Sequence, residues 1–203
     1  MKELLKLENV VKVYGGERAV NGVTLALYPG EKALIHGPLR SGKSTLLRLI
    51  AGIERPDAGK IVRPASIGVV QEGNGLIPKY GLLENIALPL TLDGDRQADK
   101  KARAMMEYLE ISYIAGAKPQ KVSRVERRLA ALARAAMTKP SLLLLDEYTA
   151  GFSQRETIHL WNALEQLIQE IPMGIMMFST QEYMQAFSKK YYMEYGKITE
   201  ETK

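Results

Sequence analysis

Apolar and polar positions change their period several times along the chain. From Leu4 to Val13, and again from Val23 to Leu27, apolar residues alternate with polar ones as in a half-buried strand. Tyr14-Gly15-Gly16 separates the two runs and Pro29-Gly30 follows them as a turn. Lys32-Ala33-Leu34-Ile35 predicts a buried strand, and after a Gly/Ser loop Leu46 to Ile50 reads as a helix stopped by Gly52. Ile67 to Val70 predicts another strand, ending at Gln71. A Gly- and Pro-containing stretch then reads as loop to about Pro89. Helical spacing takes over in Ala102, Met105, Met106 and Leu109, and again in Leu129, Leu132, Ala133 and Ala136. Leu142 to Leu145 predicts a very apolar strand, Thr157 to Ile168 a helix, and Gly174 to Phe178 the last buried strand. Strand and helix alternation of this kind predicts an α/β fold around a parallel sheet, with a helical insertion before the Leu142 to Leu145 strand.

At 203 residues and 46% hydrophobic, the chain is long enough for a core without staples, and it is no disordered or low-complexity tail. Cysteine is absent, which excludes disulfides, thiolate metal sites and cysteine nucleophiles and is compatible with a reducing cytosol. The N-terminus interleaves charges with leucines and is not read as a signal peptide, and nowhere do 18 apolar residues run together. The formal charge of +5 is local: residues 99–139 carry ten Lys or Arg against four Asp or Glu, while the rest of the chain is nearly neutral. A basic helical stretch is either a solvated face or a surface turned to a partner, and composition does not choose between them.

Gly37-Pro38-Leu39-Arg40-Ser41-Gly42-Lys43-Ser44-Thr45 fits G-x-x-x-x-G-K-[ST], directly after a predicted strand and opening a predicted helix, the context this phosphate-binding motif requires. Backbone N–H groups around Gly42 would converge on phosphates, assisted by the helix N-terminus. Lys43 would reach the terminal phosphates, and the Ser44 hydroxyl would take a position on Mg²⁺. Leu142 to Leu145 ends in Asp146-Glu147, at the strand end where ligands meet an open α/β sheet. Alone, an apolar run ending in two carboxylates is an ordinary strand-to-loop transition. With a phosphate loop about one hundred residues upstream, Asp146 becomes the expected Mg²⁺ group and Glu147 the group that orients or deprotonates the attacking water.

With these motifs the chain resembles an ABC-type ATPase subunit over nearly its whole length, which implies the P-loop NTPase fold of that family: an α/β parallel-sheet core with an antiparallel β component near the N-terminus, in one domain over 1–203 whose core is 1–88 and 137–203 and whose helical subdomain is inserted over 89–136. The resemblance implies that Tyr14, in Val13-Tyr14-Gly15, stacks on adenine, with Val20, Gly37, Arg40, Ser41, Gly42, Lys43, Ser44, Thr45 and Gln71 also on the nucleotide. It also implies that Gln71 senses Mg²⁺ beside Ser44 and Asp146 and leads into a loop contacting the transporter. Leu76-Ile77-Pro78 and Leu83-Glu84-Asn85-Ile86-Ala87-Leu88-Pro89-Leu90 are similar to the lipoprotein-releasing and macrolide-export branch.

The chain departs from its relatives at three places. Where the family has Leu-Ser-Gly-Gly-Gln, facing a nucleotide held by a second subunit, the residues are Val122-Ser123-Arg124-Val125-Glu126. Both glycines are gone, so the close backbone approach they allow is compromised, although Ser123 and Glu126 still form a capping box that can start a helix. Ser153 follows Gly151-Phe152 where an aspartate is usual, and Gln181 replaces the histidine expected to contact the γ-phosphate. A glutamine amide can donate one hydrogen bond but relays no proton. His36 and His159 do not stand in for it by position: a packing role is expected for the first and a solvated one for the second. The resemblance therefore implies a Mg-ATP-binding subunit on the cytoplasmic face of a membrane, partnered by an integral-membrane transporter or regulatory subunit and by a second ATPase subunit, like or unlike. Hydrolysis is expected to be slow or partner-dependent; the alternative is a degenerate regulatory or structural subunit with little or none. Nucleic acid is not an expected partner, because ATPases of that kind need insertions for which this chain has no room.

Overall fold

The structure is a computed structural model that describes residues 2–73, 75–182 and 187–201, so both ends of the expected 1–203 domain fall outside them. Its contacts divide the chain into two units. The first takes the residues up to Val69, Ser141–Ala150 and the chain from Met173; the second takes Val70–Pro140 and Gly151–Pro172. The expected helical insertion, 89–136, lies inside the second unit, which begins earlier and includes a further helix.

In chain order the first unit is built from β1 (Leu5–Tyr14), β2 (Glu17–Leu27), β3 (Lys32–His36), α1 (Lys43–Ala51), β4 (Ala58–Val62), β5 (Ile67–Val70), β6 (Leu142–Asp146), β7 (Gly174–Ser179), β8 (Lys189–Glu194) and β9 (Lys197–Glu200). A three-stranded sheet runs β2-β1-β4, with β1 antiparallel to both neighbours. A six-stranded sheet runs β5-β6-β7-β3-β8-β9. Its β6, β7, β3 and β8 are parallel, with Leu143 opposite Ile175, Ala33 opposite Met176 and Ile35 opposite Tyr191, and β9 pairs antiparallel to β8. Strands β6 and β7 are buried on both faces, which explains their continuous apolar sequence.

Alternation decides which side chains meet. Ala33 and Ile35, Leu142 and Leu144, and Met176 and Phe178 face a core shared with Leu5, Leu7 and Val10 of β1 and with Leu46, Leu49 and Ile50 of α1. Full burial of each of the larger side chains among these is worth about 1.5–3 kcal/mol relative to exposure. Helix α1 ends at Gly52, left-handed at φ 77, whose N–H closes on the carbonyl of Leu49 at 3.2 Å.

The second unit contains α2 (Leu82–Leu92), α3 (Ala98–Tyr108), α4 (Arg124–Ala136) and α5 (Gln154–Glu170). Three expectations are corrected here. The stretch read as loop to Pro89 is helical from Leu82, with Pro89 inside α2, because Leu82, Ile86 and Ala87 are buried where α2 packs on α3 and α4. That burial offsets the missing proline N–H. Gly174 to Phe178 is not the last strand, since β8 and β9 follow it. β4 also escaped notice, as its Ala-Gly-Lys-Ile-Val carries little apolar content and pairs at a sheet edge. Among the described residues no helix is long and apolar enough to cross a membrane.

Candidate functional site

The loop from Gly37 to Thr45 leaves β3 and enters α1, and its glycines are required by close approach. A Cβ on Gly42, the N-cap of α1 at φ 107, would sit 2.1 Å from the Ala19 carbonyl oxygen, and one on Gly37 would sit 2.0 Å from that of Met193. The loop is fastened by Gly37 N–H donating to Ser179 O at 3.2 Å and by Gly196 N–H donating to Ser41 O at 2.9 Å. Arg40 stands exposed at the loop's crest with φ 64. Helix α1 opens with no acidic residue in its first turn and no side-chain cap, so its N–H groups suit an anion.

Lys43 is buried and folded back on its own loop: Nζ donates to Gly37 O at 2.8 Å, Pro38 O at 2.7 Å and Ser41 Oγ at 3.2 Å. Burial pushes its pKa below the ordinary lysine value, while Glu147 and Asp146 pull the other way. A polyphosphate would exchange these neutral acceptors for charged ones. Ser44 is exposed in the first turn of α1, whereas Thr45 is buried.

Asp146 ends β6, half-buried, opposite Phe178 of β7. Glu147 follows with φ 45, a left-handed conformation that costs a non-glycine residue about 1–3 kcal/mol and tends to mark functional turns. It is pinned at both ends. Its N–H donates to Phe178 O at 2.9 Å, and its Oε2 accepts from Ser179 Oγ at 3.2 Å and Thr180 Oγ1 at 3.3 Å. Gln181 is exposed, and its N–H donates to the same Ser179 hydroxyl at 3.0 Å. The turn after β7 thus holds the Glu147 carboxylate and fixes the backbone of Gln181 beside it. Ser179 and Thr180 were missed as site residues, because nothing in a strand-end Ser-Thr marks it as a carboxylate clamp.

Tyr14 ends β1 with its hydroxyl donating to Glu54 and with Lys12 Nζ 5.6 Å from its ring centroid. It lines a cleft of about 260 Å³ whose other walls include Arg18, Ala19, Arg40, Tyr195 and Gly196. The last two come from the β8–β9 turn, so this half of the cleft was not legible while those strands were unread. Val20 differs from expectation: it is wholly buried in the core, so its side chain backs the sheet and offers no surface to a nucleotide.

The remaining expected residues belong to the second unit. Gln71 is exposed just beyond β5, and the buried Arg128 donates to the carbonyls of Gln71 at 2.9 Å and Glu72 at 3.0 Å. At the start of α4 the capping box forms as expected: Glu126 N–H donates to Ser123 Oγ at 3.2 Å, and Ser123 N–H to Glu126 Oε2 at 2.6 Å. Tyr113 OH donates to Glu126 Oε1 at 2.6 Å, and this bond, helped by those from Ser123, holds the carboxyl below its ordinary pKa. Val125 is half-buried. Arg124 donates to Gly151 O at 3.0 Å and lies 4.7 Å from the Phe152 ring centroid. The basic stretch therefore resolves into two kinds of residue. Lys118, Arg124, Arg127, Arg128 and Arg134 all donate to backbone carbonyls within the unit, while Lys100 and Arg103 are exposed on α3. Half of the ten basic residues thus have structural partners. His36, buried, meets Glu201 Oε2 at 3.0 Å and the edge of Tyr192; His159 is exposed.

A glycine-lined loop between a buried parallel strand and a helix, together with a carboxylate pair, its second member clamped, closing a strand of the same sheet, defines a P-loop nucleotide-binding domain. The chain belongs to the ABC transporter family, whose profile matches residues 20–150. Among its relatives, the lipoprotein-releasing system ATP-binding protein LolD 2 of Caulobacter vibrioides is 35% identical over 184 residues, covering 81% of each chain. The sulfate/thiosulfate import ATP-binding protein CysA of Pectobacterium atrosepticum is 30% identical over 184 residues, 82% of this chain and 56% of CysA. Among solved structures, a dimeric bacterial ABC transporter cassette superposes with a TM-score of 0.86 at 26% identity, covering 97% of both chains. A dimeric cassette in a post-hydrolysis state bound to ADP and phosphate gives 0.85 at 25% identity and the same coverage.

Proposed function

We propose that the chain is the ATP-binding subunit of an ABC-type membrane complex, peripheral on the cytoplasmic face, that binds Mg-ATP and hydrolyses it slowly or only with its partners. Those partners are an integral-membrane subunit and a second ATPase subunit. The observation that carries this reading is the retained Glu147, clamped by Ser179 and Thr180 in the same unit as an intact phosphate loop. A chain that only stored nucleotide would have no need of a carboxylate held in a strained turn.

The donor set suits Mg²⁺. Among the described residues no group of three or more Asp, Glu or His gathers to hold a metal unaided, and Mg²⁺ ordinarily takes one or two carboxylates while phosphates and water complete its shell. Ser44 and Asp146 would hold it; a share for Gln71 rests on the resemblance. Mg²⁺, when bound, supplies charge neutralisation at the phosphate oxygens. The chain's own part is positioning. Lys43 and the loop N–H groups hold the phosphates, Glu147 orients a water and takes its proton, and Gln181 can donate one hydrogen bond.

The second reading, a regulatory subunit with little turnover, is favoured by Glu126, whose carboxylate already takes the Ser123 N–H at the start of α4. Phosphate release by the purified chain, with and without its membrane partner, separates the two. Turnover that Glu147→Gln removes supports the first reading. Release that Glu147→Gln leaves unchanged overturns the assignment of the base, and turnover absent in every preparation favours the second.

A further inference from the structure

A tyrosine at a strand end, next to Gly15-Gly16 and half exposed, would ordinarily turn freely about its side-chain bonds. Tyr14 does not, because its hydroxyl is bonded to Glu54 Oε2. The other carboxylate oxygen of Glu54 accepts from Arg48 Nε at 2.5 Å, and Arg48 Nη2 donates to Thr45 Oγ1 at 3.2 Å. Arg48 and Thr45 both lie on α1, the helix that carries Lys43 and Ser44. The loop after α1 grips the strand end at two more points: Val13 N–H donates to Asp57 Oδ2 at 2.7 Å, and Lys12 Nζ to Arg55 O at 3.0 Å.

We infer that Glu54 and Arg48 are positioning residues for the nucleotide base, tying the Tyr14 ring to the phosphate-loop helix through the chain Tyr14, Glu54, Arg48, Thr45. The inference rests on the reading that Tyr14 meets the base, and it assigns a purpose to two residues that the motifs leave unmarked. Its physical content is preorganisation. A nucleotide must engage the aromatic platform and the phosphate loop together, and a platform already held at a set distance from the loop loses less freedom on binding. The chain can do this because both carboxylate oxygens of Glu54 are engaged, one at the ring and one at the helix, so the carboxylate cannot serve one end alone. Glu54 is held below its ordinary pKa first by Tyr14 and then by Arg48, so it remains an acceptor for both.

The test compares ATP with inorganic tripolyphosphate, which fills the phosphate loop and has no base, in titrations of the full chain. Glu54→Ala and Tyr14→Phe are each expected to weaken ATP about three- to tenfold, the range of one lost hydrogen bond, with tripolyphosphate affinity unchanged. Glu54→Gln, which keeps an acceptor, is expected to recover part of the loss, and the double variant Tyr14→Phe/Glu54→Ala to bind ATP as the weaker single variant does. Tyr14→Phe leaves the Glu54–Arg48 pair intact and so keeps the test open should Glu54→Ala fold poorly. Equal loss of ATP and tripolyphosphate in Glu54→Ala would assign Glu54 to holding α1 and overturn the inference. Wild-type ATP affinity in Glu54→Ala and Tyr14→Phe alongside a large loss in Tyr14→Ala would overturn it while leaving the base reading intact. Unchanged ATP affinity in Tyr14→Ala would remove the base reading and the inference together.

Discussion

A single methyl group at Gly42 would place carbon 2.1 Å from the Ala19 carbonyl oxygen while the backbone stays at φ 107. Neither strain can be relieved without moving the phosphate loop, so Gly42→Ala is expected to cost about 3 kcal/mol or more, read as a lowered urea midpoint. Gly73 meets nothing within 4 Å, and Gly73→Ala is expected to stay within about 0.5 kcal/mol. Asn85 is the counterpart in the helical unit. Wholly buried, it accepts from Ile77 N–H at 2.6 Å and donates to Ile77 O at 3.1 Å and Gly81 O at 2.9 Å, which shapes the loop ahead of α2. Asn85→Ala would leave buried backbone groups without partners and is expected to cost about 2–3 kcal/mol in the same measurement. Gly42 was legible because its motif states the geometry it serves. Asn85 was not, since one polar residue in an apolar helix looks alike whether it faces water or closes a loop.

At the scale of elements, α4 shows how local a helix start can be. Ser123 and Glu126 lie three residues apart and satisfy each other's N–H groups as the capping-box pattern requires, so Ser123→Ala is expected to cost about 1 kcal/mol. The pH response follows from Glu126, whose carboxyl is held below its ordinary 4.5 by Tyr113 and Ser123. Its contribution is fully present above 4.5 and is lost as pH falls through the lower folded-state value. Thermal stability of the wild type should therefore fall more steeply below about pH 4.5 than that of Glu126→Gln, compared by melting scans across that window. Parallel slopes would deny Glu126 this part. Helix α2 marks where local reasoning stopped. Pro89 argued for a loop, and only the burial of Leu82, Ile86 and Ala87 against α3 and α4 carries the helix through it.

For the whole molecule, binding to the folded state alone must raise stability by mass action, by about 2.7 kcal/mol at one hundred times the dissociation constant. In a chain of 203 residues that corresponds to a melting shift of about 5–10 °C with Mg-ATP. Lys43→Ala should abolish the shift, and a full shift in that variant would remove the phosphate-loop assignment. Charge is also decided at this scale. The ten basic residues of 99–139 left a solvated face and a partner surface equally open, yet Lys118, Arg124, Arg127, Arg128 and Arg134 close backbone carbonyls inside the helical unit. Lys100 stays exposed on α3, so Lys100→Glu is expected to weaken attachment to a membrane partner in co-purification while leaving ATP affinity intact.

By itself the sequence determined the phosphate loop, the carboxylates ending β6, the buried parallel strands and the capped start of α4. The phosphate loop, the apolar strands and the helix cap each depend on residues within about ten positions of one another, and the carboxylates add only the presence of that loop upstream, so chemistry and spacing suffice to state them. Only the tertiary structure decided the rest. β8 exists because β3, more than 150 residues earlier, accepts it as a parallel neighbour. Tyr195 reaches the cleft because that pairing turns the chain back beside Ala19 and Ser41. Glu54 acquires its position because a loop and a strand end forty residues apart are brought within hydrogen-bonding distance. Val20 loses its expected place on the nucleotide because the core closes over it. Contacts of that range leave no period and no motif in the chain, since neither partner is chosen by its neighbours in sequence.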